Sequence, residues 1–228
     1  MSSFLRRLKY YGIGFGLGLV FVFFFFQNRG CSWLPSNRVK NAILDRVITI
    51  SDEEQKKLTS LGITDQKIID LLNDGEVDFG KSKKKGKMKI YQLSREETKL
   101  YFTLPEECFI SEVRVADQKS SKIKSTTQGT GRFIHFPKDE SLVFVDTNRQ
   151  LACQLEKMGY INQKRILKSL KKNGKIDFER SNFREKPKAL VYLYFDDQSG
   201  KKTGAESIWY KNKINIRSFD LADSTLCR

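Results

Sequence analysis

The spacing of apolar residues changes several times along this chain, and each change marks an element. Residues 10–26, YYGIGFGLGLVFVFFFF, carry no charge and no polar face, the pattern of a helix that is apolar all round. From Ser51 the spacing becomes helical. Ser51 caps a turn carrying Asp52, Glu53 and Glu54, acidic residues that suit a helix start, and the run stops near Leu61-Gly62. Thr64 caps a second helix from Asp65 to Asn73, with Ile68, Leu71 and Leu72 on one side and Asn73-Asp74-Gly75 as its stop. The period then drops to two at Val77 and Phe79, Met88 to Leu93, Lys99 to Leu104 and Phe109 to Val115, which predicts strands. Lys119 to Gly131 (KSSKIKSTTQGTG) has no apolar pattern beyond Ile123 and reads as a linker or long loop. Phe133 to Phe136 and Leu142 to Val145 read as strands, a hairpin that closes the first sheet or starts a second.

The order then repeats. Helices are predicted from Arg149 to Met158, ending at Gly159, and from Gln163 to Lys172, capped by Asn162 and carrying Ile166, Leu167 and Leu170. Strand-like runs follow at Ala189 to Phe195, Ser207 to Tyr210 and Ile214 to Phe219. The second unit repeats a motif of the first: Gly75-x-Val77-Asp78-Phe79-x-x-Ser82 returns as Gly174-x-Ile176-Asp177-Phe178-x-x-Ser181. Gly62 with Gln66-Lys67 matches Gly159 with Gln163-Lys164, and Lys87 with Tyr91 matches Lys188 with Tyr192. The expectation is an α+β fold: an N-terminal transmembrane helix, then two related units of helices packed on a small antiparallel sheet. Its segments are a basic tail and anchor (1–29), a juxtamembrane stretch (30–50), a first repeat (51–118), a linker (119–131) and a second, basic repeat (132–228).

The apolar run follows Arg6, Arg7 and Lys9 and ends at Gln27-Asn28-Arg29. Its exit lacks a small-x-small cleavage pattern, so an uncleaved single-pass signal anchor is expected rather than a cleaved signal peptide. The basic tail favours a cytoplasmic N-terminus in a bacterial inner membrane, with the soluble part periplasmic; a cytoplasmic soluble part is the alternative. Gly12, Gly14, Gly16 and Gly18 form two overlapping G-x-x-x-G faces suited to helix-helix contact. Trp33 suits a membrane boundary, Pro35 interrupts the helix, and Asn37 caps a short helix to Leu44 or Val47.

Net charge is +15, but it is uneven: residues 50–118 net −2 and residues 119–228 net +11. Lys164, Arg165, Lys168, Lys171 and Lys172 crowd one helix, followed by Lys175, Arg180 and Arg184. Such a patch can meet an acidic protein surface or phosphates. Interleaved aromatics for base stacking are not evident, so a protein partner is favoured and nucleic acid is second. No cofactor, metal or small-molecule substrate is expected. The four cysteines include no C-x-x-C pair, and His135 is the sole histidine, between Ile134 and Phe136 on an apolar strand. A bridge such as Cys108 to Cys153 is left open.

The repeated motif reads as structure. Glycine supplies a left-handed helix stop, Val77 or Ile176 and the following Phe anchor a strand, and the aspartate accepts hydrogen bonds from a turn with Ser82 or Ser181 as a donor. Neither copy has a second fixed carboxylate, a His or a Cys at a supporting position, as a catalytic base would need.

Cys31, Pro35, Arg38 and Val39, then Leu72, Gly75, Val77, Asp78, Phe79 and Ser82, then Lys87 and Tyr91 together resemble a family of small bacterial single-pass membrane proteins with a domain of unknown function. The resemblance covers roughly residues 5–116. Members of that family often pair a cysteine before the Tyr strand with one in a later strand. Here Met88 stands near the first place and Cys108 near the second. The domain is distantly similar to toxin-like ribonucleases, whose His-containing segment has no match here. The resemblance implies a membrane-anchored, non-enzymatic accessory subunit of an envelope complex; the alternative is a tethered nucleic-acid binder or degenerate ribonuclease-like domain.

Overall fold

A computed structural model describes residues 3–27, 34–145, 149–160, 163–185, 188–210 and 212–221. The chain forms two compact units, Met1–Arg38 and Val39–Arg228. The first holds helix α1 (Ser3–Gln27). The side chains described along it, Leu8, Tyr10, Tyr11, Ile13, Phe15 and on to Phe23, are exposed. A Cβ added at Gly12, Gly14, Gly16 or Gly18 would meet nothing within 4 Å.

Among the described residues no helix is long and apolar enough to cross a membrane. That corrects the transmembrane anchor, and with it the single-pass topology, the inner-membrane location and the membrane as partner. The physical reason lies in length and dilution. Residues 10–26 rise only about 25 Å as a helix, against a hydrocarbon core of about 30 Å, and two tyrosines and four glycines thin that run. Cys31 and Trp33 lie outside the described residues.

Helix α2 (Pro35–Leu44) starts on a proline, which suits a first helical position. Strand β1 (Val47–Ser51) follows. Its five residues are all buried, so it shows no alternation. The preceding helix ends at Leu44, the nearer of the two expected ends, but begins at Pro35, so Asn37 lies inside it and is not its cap. Helices α3 (Asp52–Ser60) and α4 (Asp65–Asp74) precede strands β2 (Glu76–Lys83), β3 (Met88–Arg95), β4 (Thr98–Pro105) and β5 (Ile110–Val115). A short 3-10 turn, Ser120–Lys122, leads to β6 (Thr130–His135). Then come β7 (Val143–Val145), α5 (Arg149–Lys157), α6 (Gln163–Asn173), β8 (Lys175–Asn182), β9 (Ala189–Asp196), β10 (Lys202–Tyr210) and β11 (Lys213–Asp220).

All the strands join one mixed 11-stranded sheet, in the order β2-β3-β4-β5-β1-β6-β8-β9-β10-β11-β7. Two small antiparallel sheets were expected; one large sheet replaces them. Each half runs strand, two helices, four strands, and in each the opening strand returns to pair in parallel with the last: β1 with β5, and β7 with β11. Strand β6 is the joint. It pairs antiparallel with β1 through Ile48 to Ser51 and with β8 through Lys175 to Asp177. The expected linker 119–131 therefore ends inside a strand, and β6 and β7 form no hairpin. Without β6, both β1 and β8 would present open edges.

Strand directions follow from these pairings. β2 and β8 run oppositely, so the halves are related by a half-turn about an axis across the strands. Their helices accordingly lie on opposite faces. Ile48 and Ile50 pack with Leu58, Ile68 and Leu71 of α3 and α4. Val47 and Ile110, on the other side of the same strands, pack with Ile166 and Leu170 of α6. Phe109 stacks on Trp209 across the join, with ring centroids 4.9 Å apart, so one core runs through both halves.

Two glycine pairs differ in their reason. Gly62 and Gly159 take left-handed φ of 65° and 72° between paired helices, which favours glycine. Gly75, predicted to be left-handed, is extended, with φ −70° and ψ 163°. There the constraint is close approach: a Cβ at Gly75 would strike the Leu71 carbonyl oxygen, and one at Gly174 the Leu170 carbonyl oxygen. Cys153 is disulfide-bonded, and Cys108 is a free, buried thiol. The Cys108–Cys153 bridge does not form. Burial pushes the Cys108 thiol up to about 12, which leaves it an unreactive core group.

Candidate functional site

The basic residues of the second half separate into three places. On α6, Ile166, Leu167 and Leu170 are buried, so Arg165, Lys168, Lys171 and Lys172 lie on the outer side. Lys164 forms an exposed ion pair with Glu140 at 2.7 Å. The direct hydrogen bond draws Lys164 up and Glu140 down from their ordinary values. Arg165, Lys168 and Lys172 form one wall of an open cleft of about 510 Å3, faced by Asp196, Asp197 and Gln198 at the β9–β10 turn. The turn is braced by its own hydrogen bonds: Asp197 Oδ1 accepts from the Ser199 and Lys201 backbone N–H groups, both at 2.8 Å. Tyr160 Oη donates to the Asp196 carbonyl at 2.7 Å and so ties the turn to the α5–α6 junction. Asn162, the expected cap of α6, lies outside the described residues.

The second place is on the sheet. The Arg180 guanidinium lies 3.4 Å from the Tyr192 ring centroid and pairs with Asp220 at 3.2 Å. Tyr192 Oη donates to the same Asp220 carboxylate. Burial and that carboxylate raise the Tyr192 phenol, and the phenol and guanidinium hold Asp220 below its ordinary range. Lys202 sits 4.3 Å from the Tyr194 ring centroid. Tyr194, Lys202 and Asp220 carry no sequence motif; only the pairing across β8, β9, β10 and β11 brings them together. The third place holds Arg184, on the turn after β8 and apart from the other two. Lys175 is exposed at the start of β8.

The repeated motif forms the same hydrogen bonds twice. Asp78 Oδ1 accepts from the Gly80 and Lys81 N–H groups at 2.9 and 3.0 Å. Asp177 Oδ1 does so from Glu179 and Arg180 at 3.0 and 3.1 Å. Ser82 Oγ donates to the Asp78 carbonyl and accepts from Gln92 N–H at 3.0 Å. Ser181 does likewise with Asp177 and Tyr192. The serine thus bonds the aspartate's backbone, not its carboxylate. In both strands the register shifts across this stretch. The motif is a stitched bulge that bends the strand out of its ladder. Phe79 packs edge-on to Tyr91 and Phe178 edge-on to Phe183.

His135 Nε2 lies 3.0 Å from the Leu44 carbonyl, so that nitrogen carries the proton as donor. Burial first, then Lys171 and Lys138, lower its pKa, while the Leu44 bond opposes them. It is a neutral structural imidazole joining β6 to the end of α2. Among the described residues no group of His, Cys, Asp and Glu gathers as a metal site would.

Sequence reasoning missed a buried carboxylate. Glu112 on β5 is 1% exposed. Its Oε2 accepts from Thr126 N–H at 2.9 Å, Thr126 Oγ1 at 2.5 Å and Arg114 at 3.3 Å. Oε1 has no partner among the described residues. Burial raises this carboxyl, against the opposing pull of Arg114 and Thr126. The group fastens the β5–β6 connector over the sheet, where Ile123 packs on Ile90 and Tyr101.

Compared with known proteins, the chain matches no family model, and neither a curated protein nor a solved structure is detectably similar to it.

Proposed function

We propose that this chain is a non-enzymatic interaction protein that uses the outer side of α6 to dock on an acidic protein surface. The observation that carries the reading is the cleft where Arg165, Lys168 and Lys172 converge opposite the braced β9–β10 turn. A rigid helix with cations three and four residues apart presents charge at fixed positions. The opposing wall argues for a protein rather than nucleic acid. Asp196 and Asp197 would repel a continuous run of phosphates, and Arg180 already covers the Tyr192 face that a base could stack on. The motif aspartates, the plainest candidates for catalysis, are bonded to their own backbone.

The test uses the full chain, a fluorescent peptide whose glutamates are spaced by alanines and a single-stranded RNA of equal charge, followed by anisotropy at low and high salt. The peptide should bind more tightly, weaken with salt, and lose about tenfold or more in an R165Q/K168Q/K172Q variant. Tighter RNA binding that the triple variant abolishes would replace this reading with the nucleic-acid one. Peptide binding unchanged in the variant would remove the α6 face from consideration.

A further inference from the structure

A second cavity, of about 430 Å3, lies on the seam between the halves. It is distinct from the α6 cleft and shares no residue with it. Four distant pieces of chain build it: the β2–β3 turn, the β4–β5 turn, the β5–β6 connector and the turn after β8. Its floor is apolar. Met88 and Ile123 come from the small cluster on the helix-free face of the first half, and Phe183 from the main core. Phe183 is held edge-on by Phe178, centroids 5.9 Å apart at 88°.

The rim is cationic. Lys83, Lys87, Lys124 and Arg184 surround the floor, with Glu107 as the carboxylate in the wall. Among the described residues none of these four cations forms an ion pair or a side-chain hydrogen bond, whereas Glu107 already has an interaction of its own. Several cations elsewhere are neutralised, Lys57 by Glu54, Arg95 by Asp74, Arg132 by Asp65 and Lys213 by Asp139; among the described residues the rim cations, like Lys168 and Lys172 on α6, are not. Four unpaired cations around one apolar floor leave a local excess of positive charge over a surface that gains from losing water.

The bulge explains why the cavity exists here and not in the first half. β6 pairs with β8 only through Asp177. The stitched stretch to Asn182 leaves the ladder, and Phe183 and Arg184 follow it directly. At the matching place after Ser82 the first half has Lys84 and Lys85, so it has no aromatic floor.

We propose that this cavity binds a small amphiphilic anion, an apolar chain or ring carrying a single carboxylate, sulfonate or phosphate. The volume lies within the range of about 300–1,000 Å3 usual for small-ligand pockets. The apolar body would cover Met88, Ile123 and Phe183, and the head group would meet the lysines and Arg184 as charge-assisted hydrogen bonds.

Calorimetry on the full chain tests this with three probes. Decanoate has both features, decanol only the apolar body, and inorganic phosphate only the charge. Decanoate should bind once per chain, at least tenfold more tightly than either other probe. A K124Q/R184Q variant, altered only at exposed positions, should lose about tenfold or more. A K168Q/K172Q variant should bind as the parent does, which separates this site from the α6 cleft. The proposal is overturned if decanol or phosphate matches decanoate, if the rim variant binds normally, or if no decanoate binding is found. Dependence on the floor is checked by Phe183→Leu, which keeps it apolar: the variant should weaken decanoate less than the rim variant does, and a larger loss would overturn the assignment of the head group to the rim cations.

Discussion

In the first half of the sheet, Ile123 from the β5–β6 connector lies on Ile90 and Tyr101, and Glu112 holds that connector down through Thr126. On the matching helix-free face of the second half, Arg180 and Lys202 lie over Tyr192 and Tyr194 instead. One face is closed by backbone and an aliphatic plug, the other by cation-ring stacking and a shared carboxylate. The difference shows that net charge overstates available charge. Part of the +11 in the second half is consumed in covering its own sheet. What remains for partners is α6 and the rim around Arg184.

The comparison holds only if both halves belong to one cooperative body. Trp209 is fully buried in the second half and Phe102 in the first. Trp209→Ala and Phe102→Ala should each lower stability by about 3–5 kcal/mol. Denaturant curves followed by circular dichroism should show one transition in both variants, shifted as a whole. Two separate transitions, with each substitution moving only its own, would break the single-sheet description.

The next effect concerns the glycines that open the two bulged strands. Gly75→Ala and Gly174→Ala should each cost about 1–3 kcal/mol, since the added carbon meets a helix carbonyl. Asparagine should be no better than alanine at Gly75. A left-handed conformation would tolerate asparagine, so rescue by Gly75→Asn in thermal melts would contradict the extended geometry.

The two motif aspartates should then differ in degree. Asp177 is buried at 9% exposure, and the Asp78 side chain is 35% exposed. Removing Asp177 leaves its backbone donors beneath a covered surface; removing Asp78 leaves them near water. Asp177→Ala should cost about 2 kcal/mol and Asp78→Ala about 1, with Asn nearly neutral at both because its oxygen still accepts. Equal losses on denaturation would mean that burial does not separate the halves.

Helices and most strands could be read from the sequence because Ser51, Thr64, Gly62 and Gly159 punctuate them, and because α6 alternates Ile166, Leu167 and Leu170 with lysines. Strand β1 could not, since burial on both faces removes alternation. The role of β6 was hidden for a different reason: Thr130 and Gly131 look like linker residues, and only pairing with both β1 and β8 shows them as the joint. Apolar composition alone misled at residues 10–26, where length decides. The α6 cations were visible as a run, but Arg180 and Arg184 looked like members of the same patch. Folding sends one to Tyr192 and the other to the seam. Lys83, Met88, Ile123 and Phe183 have no spacing to link them, so the cavity they line is a product of topology.

The smallest effect tests how the first half keeps its connector in place. Burial raises the Glu112 carboxyl in the folded chain. A raised folded value means that the proton is bound more tightly in the folded than in the unfolded state. The stability this contributes is complete below the ordinary carboxyl value of about 4.3 and is lost as pH rises through the folded value. Glu112→Gln has no proton to lose, and its amide oxygen can still accept from Thr126. Relative to the parent, the variant should therefore gain stability as pH rises above about 4.3 and level off once pH passes the folded value, measured as the difference between paired denaturant curves. Because the substitution leaves the second half untouched, Tyr192 and Asp220 should titrate identically in both proteins. A difference that stays flat with pH would mean that Arg114 and Thr126 outweigh burial, and that the connector is held by a charged carboxylate instead of a neutral one.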